Sequence, residues 1–245
     1  MSGTVDDFDL GRLQKRLASR VLLIFLLPCA IAAVLVVFIF VLTARVKEAE
    51  LAIKLVNIER VWTKDKNYQW AIDEYTRLAR QSSRPEVLVR LGALQLRLDP
   101  PNTVAALETL ERAKRMDPGY WETYSTLSYA YVKTNHAREA IAEGEAALRL
   151  NPADAQTYNN LAWVHATSAD PAVRDLDKAK VYAESAVRLT RETQPAYLDT
   201  LAEVYARRGE RQRAAQQLRK AIAISPNATA PPLRARLEQL TGEKT

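Results

Sequence analysis

A small residue directly after a leucine recurs at repeat-like spacing from residue 91 onward in this chain, at Leu91-Gly92, Leu127-Ser128, Leu161-Ala162 and Leu201-Ala202. Ser128 and Ala162 stand 34 residues apart. About fifteen to twenty residues beyond each pair comes an alanine-rich amphipathic run, the spacing of a two-helix unit. Two of those runs end in Asn151-Pro152 and Ser225-Pro226. A fixed period of this length marks an array of stacked helix pairs, because one pair cannot bury its apolar face alone and a row of them can. Such an array offers a curved docking surface. It points to binding and away from a catalytic pocket.

Composition agrees with an all-α chain. Only 7 of 245 residues are glycine, 48% are hydrophobic, and Ala, Leu, Arg and Glu are abundant. The net charge is +6, but the 35 Lys and Arg are interspersed with 29 Asp and Glu. Nucleic-acid binding needs a basic patch or stripe, which this pattern lacks, so no nucleic-acid partner is expected. One cysteine, Cys29, excludes an intrachain disulfide framework and a multi-cysteine zinc site. Two histidines, His136 and His165, supply metal chemistry poorly. There is no Gly-rich phosphate loop, no G-x-S-x-G and no H-E-x-x-H. The expectation is a protein without catalytic residues, cofactor, metal or small-molecule substrate. Asn227-Ala228-Thr229 matches a glycosylation acceptor, which matters only in a eukaryotic secretory protein.

Val21 to Ala44 contains no charged residue. At about 1.5 Å per residue this run reaches ~36 Å, enough to span a bilayer core with tilt. A core helix rarely stays apolar on every face for so long. A cleavable signal peptide needs a shorter apolar region and an A-x-A-like site, whereas Leu42-Thr43-Ala44 puts leucine where a small residue belongs. Pro28 before Cys29 breaks the lipoprotein pattern in the same way. The run is therefore expected to be an uncleaved transmembrane helix over residues 21–44, in contact with lipid. Arg12, Lys15, Arg16 and Arg20 precede it; Arg45, Lys47, Lys54, Arg60 and Lys64 follow it. The clustered N-terminal charges and the long C-terminal domain favour a cytoplasmic N-terminus. Residues 1–20 are expected as a tail in which 5–20 form a short amphipathic helix, with Phe8, Leu10, Leu13, Leu17 and the adjoining Val21 spaced to share one face. That face suits either the lipid headgroups or a membrane partner.

Neither Gly nor Pro occurs between Cys29 and Arg84. Leu51, Leu55, Ile58 and Trp62 carry the span on into an amphipathic helix to about Thr63. Lys64-Asp65-Lys66-Asn67 turns the chain, and Ala71, Tyr75, Leu78 and Ala79 give a second helix ending at Gln81-Ser82-Ser83. Residues 45–84 thus predict a juxtamembrane helix and a degenerate repeat hairpin. With no flexible linker, the array is expected close to the membrane.

The unit 121–154 carries a specific resemblance. Tyr124, Leu127, Ser128 and Tyr131 stand on its first helix, Ala140, Gly144 and Ala147 on its second, and Pro152 closes it. This pattern resembles tetratricopeptide (TPR) repeats, in which small residues let two helices approach and large ones fill the gap to the next pair. Gly144 departs from it, since a bulky residue is usual there. Three further units fit with defects. In 85–118 the residues are Leu88, Leu91, Gly92, Ala106, Leu110, Ala113 and Pro118, with Gln95 where a large packing residue is usual and a turn two residues longer. In 155–191 they are Tyr158, Leu161, Ala162, His165, Ala179, Ala183 and Ala186, with five extra residues around Ser168-Ala169-Asp170-Pro171 and no closing proline. There His165 takes a packing tyrosine's place and is expected in the core, while His136 in the turn 134–136 is expected in solvent. In 195–226 they are Leu198, Leu201, Ala202, Tyr205, Ala214, Leu218, Ala221 and Pro226. The array is therefore expected over 85–226, with residues 227–245 supplying a capping helix, about Leu233 to Leu240, and a tail.

The resemblance implies a protein-binding concave face lined by first-helix positions. In this sequence those are Tyr129, Lys133, Asn159, Trp163, Asp199, Glu203 and Arg207, joined by Arg90 and Arg97. Tyr129 and Trp163 occupy equivalent places and are expected as neighbouring aromatic anchors. Family members that grip a C-terminal carboxylate use Lys and Asn where this chain has Val89, Ala93, Ser125 and Tyr129, so that function is not implied. Asn159-Asn160-Leu161-Ala162-Trp163 and Leu198-Asp199-Thr200-Leu201-Ala202 look like bacterial members. The whole layout resembles accessory subunits of the protein translocon or of cytochrome c maturation machinery. The expectation is a scaffold at the bacterial inner membrane that docks a protein partner, with the array periplasmic. Two alternatives stay open: a structural subunit of a large membrane complex, contacted mainly through the span and juxtamembrane helix, and an outer mitochondrial anchor with a cytosolic array.

Overall fold

The computed structural model describes residues 17, 20, 21, 27–65, 67–98, 100–226 and 230–242. Phe8, Leu10 and Leu13 of the tail's proposed amphipathic face and the 227–229 triplet lie outside these residues. Among the described residues there are eleven helices and no strand. Helix α1 runs Leu27–Asp65 and α2 runs Tyr68–Gln81. Four hairpins follow: α3 (Pro85–Gln95) with α4 (Thr103–Met116), α5 (Trp121–Lys133) with α6 (Ala137–Leu150), α7 (Ala155–Thr167) with α8 (Leu176–Leu189), and α9 (Pro195–Arg207) with α10 (Arg211–Ile224). Helix α11 spans Ala230–Thr241. The chain divides into two compact units, residues 1–61 and residues 62–245.

The first unit is dominated by α1, whose part from Cys29 to Lys64 is long and apolar enough to cross a membrane. Ile31, Val34, Phe38 and Phe40 are all more than half exposed. Apolar side chains on every face of one helix suit a lipid environment and not a soluble surface. Further along α1, Leu55 and Ile58 are buried.

The second unit is the solenoid. Its helices start where polar caps stand: Asn67 Oδ1 accepts from the Trp70 amide, Asn102 Oδ1 from Ala105, and Asp175 Oδ1 from Asp177 and Lys178. Pro85 and Pro195 sit in the first turns of α3 and α9, where the missing N–H costs nothing. Two three-residue turns need a left-handed residue at the same place. Asn135 takes φ 59° in one and Gly209 takes φ 79° in the other.

Each first helix packs on its own second helix and on the next first helix, so α3, α5, α7 and α9 line the inner wall. Each second helix packs back on the first helix of the following hairpin. The small residues act where the pattern puts them. A Cβ built on Gly92 would lie 2.7 Å from Leu110 Cγ, and one on Gly144 would lie 2.8 Å from Leu161 Cδ2. The Gly144 departure is thereby explained: Leu161 of the next hairpin, fully buried, fills the space a bulky residue would take. Ser128 Oγ sits beside it and donates to the Ala140 carbonyl at 2.8 Å.

Gln95 is partly buried, and its Oε1 is enclosed without a hydrogen-bond partner. Its neighbours Leu94 and Leu96 are buried. The longer turn of the third hairpin, 168–175, is folded. Val173 and Arg174 donate to the Asp170 carbonyl, and Asp175 donates to that of His165. Val173 is buried against Ala140 and Val164. His165 is buried as expected, with Nδ1 2.8 Å from the Val173 carbonyl and its ring stacked on Tyr182; His136 is exposed. The capping helix starts three residues earlier than expected and contains Pro231 and Pro232 in its first turn. Its Leu233 and Leu237 join the core of the last two hairpins.

Candidate functional site

The inner wall has a central section that differs from its C-terminal end. In the centre, Lys133 Nζ lies 5.9 Å from the Tyr129 ring centroid, a cation–π contact at the end of α5. Trp163 on α7 is 38% exposed, and its indole stacks on no other ring among the described residues. Tyr129 and Trp163 do hold equivalent places, yet their rings do not touch. Asn159 is half-buried, and its Oδ1 is enclosed with no hydrogen-bond partner.

The deeper groove positions are used for construction. Asp154, the N-cap of α7, is buried and accepts from the Thr157 amide at 3.1 Å and from Ser125 Oγ at 2.7 Å. Thr157 Oγ1 contacts both Asp154 and Ser125 Oγ. Asn160 Nδ2 donates to the Ser125 carbonyl. This polar cluster fixes α7 against α5, so Ser125 is committed to the fold.

At the C-terminal end, Asp199, Glu203 and Arg207 are brought together and are already engaged. Arg236 of α11 reaches Asp199 with one nitrogen and Glu203 with the other, at 2.6 Å for the second. Arg207 Nε donates to Glu203 at 2.6 Å. Burial holds the Asp199 carboxyl above its ordinary range, against the opposing pull of Arg236. Nearby, burial and the Glu184 carboxylate push the Tyr205 hydroxyl up to about 12. At the N-terminal end, the Arg97 guanidinium lies 5.3 Å from the Trp62 ring.

Beside Trp163 a cavity of ≈580 Å³ opens between the α5–α6 turn and the 168–175 loop. Arg138 and Asp170 pair across it at 2.9 Å. The Ala172 amide and then Arg138 hold the Asp170 carboxyl below its usual range. Sequence reasoning missed Arg138, Glu139, Asp170 and Arg236. One signal was available: oppositely charged residues about one repeat apart meet across neighbouring hairpins. Arg138–Asp170, Lys114–Glu143 and Arg208–Asp177 all follow it. Among the described residues no group of three or more His, Cys, Asp or Glu could hold a metal ion.

A family model described as a tetratricopeptide repeat matches residues 122–154. The chain matches no curated protein. Among solved structures, it is similar to a thermophilic TPR protein of Thermus thermophilus, with 24% identity and a TM-score of 0.64, covering 78% of this chain and 98% of that one. It is also similar to PilF of Pseudomonas aeruginosa, with 19% identity and a TM-score of 0.57, covering 77% of this chain and 84% of that one. MamA of Desulfovibrio magneticus gives 19% identity and a TM-score of 0.52, with 69% and 91% covered. The chain thus carries a tetratricopeptide repeat at 122–154, set within a solenoid of tetratricopeptide-repeat fold and preceded by one long apolar helix.

Proposed function

We propose that this protein is a membrane-anchored scaffold that docks a protein partner on the central inner wall, around Tyr129, Lys133, Asn159 and Trp163. The observation that carries the reading is Trp163, a large aromatic left exposed on the first helix of the third hairpin. Exposed aromatics at the centre of a concave face are the usual anchors of a bound chain. Asp199, Glu203 and Arg207 have a smaller part in this reading, because Arg236 and their mutual contacts already neutralise them. The all-helical repeat fold and the absence of catalytic motifs favour a binding protein over an enzyme.

In this reading the apolar part of α1 crosses the bacterial inner membrane, with the N-terminus cytoplasmic and the array periplasmic. The layout resembles accessory subunits of the translocon or of cytochrome c maturation, which makes those complexes the first partners to test. A second reading has its own support. Helix α1 has 39 residues, about 58 Å of helix against the ~30 Å of a bilayer core. The surplus is available to contact a larger membrane complex. Exchanging residues 21–44 for an unrelated span separates the two. Retained partner capture supports groove docking, and loss supports contact through the span. Trp163→Ala and Tyr129→Ala should weaken capture while leaving helicity and melting unchanged; unfolding instead would make them core residues.

A further inference from the structure

We propose that the cleft beside Trp163 receives a basic side chain, arginine or lysine, from an extended segment of the docked protein. This rests on the docking reading above and gives the partner its chemistry. The cleft exists because the 168–175 loop is five residues longer than the three-residue turn of the preceding hairpin. That loop is held up as a wall by buried Val173 and by the backbone bonds to Asp170. The cavity of ≈580 Å³ lies within the usual size range of a ligand pocket, and Trp163 is part of its lining.

Its lining has two characters. Tyr131, Val132 and Trp163 supply apolar and aromatic surface, and Arg138, Glu139 and Asp170 supply charge. Arg138 and Asp170 offset each other. Glu139 is exposed and has no ion pair among the described residues, so the lining carries a net negative charge. A long cationic side chain complements both characters. Its methylene stem lies on valine and tyrosine, its guanidinium or ammonium faces the Trp163 ring, and Glu139 supplies the counter-charge. An acidic side chain would meet Glu139 unfavourably. A purely apolar one would bury that carboxylate without a partner.

The test uses the full chain in lipid nanodiscs, panned against a phage-displayed library of random seven-residue peptides. The expected result is enrichment of sequences containing Arg or Lys. A selected peptide, made synthetically and followed by fluorescence anisotropy, should bind at least about fivefold more weakly to Trp163→Ala and to Glu139→Gln. The same loss should follow when its basic residue is changed to alanine. Both protein positions are exposed, so circular dichroism should show unchanged folding. Enriched peptides without a basic residue, weakened by Tyr129→Ala but not by Glu139→Gln, would overturn this proposal and leave groove docking standing. No enrichment at all would count against both.

Discussion

Gly144→Ala separates packing from helix propensity. In an exposed helix the change would stabilise by about 1 kcal/mol, because glycine loses more backbone entropy than alanine. Here the new Cβ would sit 2.8 Å from Leu161 Cδ2, 3.0 Å from Leu161 Cγ and 3.1 Å from Ser128 Oγ. Leu161 and Ser128 are both fully buried, so neither has open space to move into. Overpacking of this kind costs about 1–3 kcal/mol. The balance is a net loss of about 1 kcal/mol. The background can be changed to reverse that sign. Leu161→Ala alone should cost about 2–5 kcal/mol as a core truncation. It also removes the two atoms nearest the new Cβ. In that background Gly144→Ala should become stabilising by up to about 1 kcal/mol. The coupling of ~2 kcal/mol lies within the range for residues in contact. Urea unfolding of the four proteins in detergent, followed by far-UV circular dichroism, measures the cycle. If Gly144→Ala stabilises equally in both backgrounds, the close approach is not real and the packing argument fails.

Gln95→Leu should raise the melting temperature, because it removes an enclosed oxygen without a partner, a group costing about 1–3 kcal/mol; an unchanged or lower value would show that Gln95 is satisfied. Asp154→Ala should destabilise by about 2–3 kcal/mol in denaturant unfolding, since it removes the α7 cap and strands Ser125 and Thr157. Acidification should loosen the 168–175 loop. The folded carboxyl of Asp170 titrates below its unfolded value, so its contribution is complete above the unfolded pKa and is lost as pH falls through the folded one. The protection factor of the Ala172 amide, its intrinsic exchange rate over its observed rate at each pH, should therefore fall at low pH, and Asp170→Asn should remove that dependence.

The repeat register was legible because packing imposes it. A helix hairpin needs a small residue at its crossing and a large one facing the next pair, and that demand recurs at Gly92, Ser128, Ala162 and Ala202 whatever the partner. The end of α2 at Gln81 and the placing of His165 in the core were legible for the same reason. The meaning of Gly144 was not, because Leu161 reaches it from a different hairpin. The groove was legible only as a set of positions. Position alone could not tell that Arg236 of the capping helix would cover Asp199 and Glu203, since that depends on how α11 lies against α9. The extra length of the third turn was visible as sequence. Its conversion into a cleft wall depends on Val173 finding a buried seat and on the Arg138–Asp170 pair, both of which are tertiary.

Site-specific photocrosslinking in native membranes tests the central claim most directly. A photoreactive residue placed in turn at Tyr129 and Trp163 on the inner wall, at Val104 and Val181 on exposed second-helix faces, and at Ile53 on α1 would report which surface meets the partner. Docking on the inner wall predicts one shared adduct from positions 129 and 163 and none from 104, 181 or 53. An adduct from position 53 alone, or from 104 and 181 without 129 and 163, would contradict it.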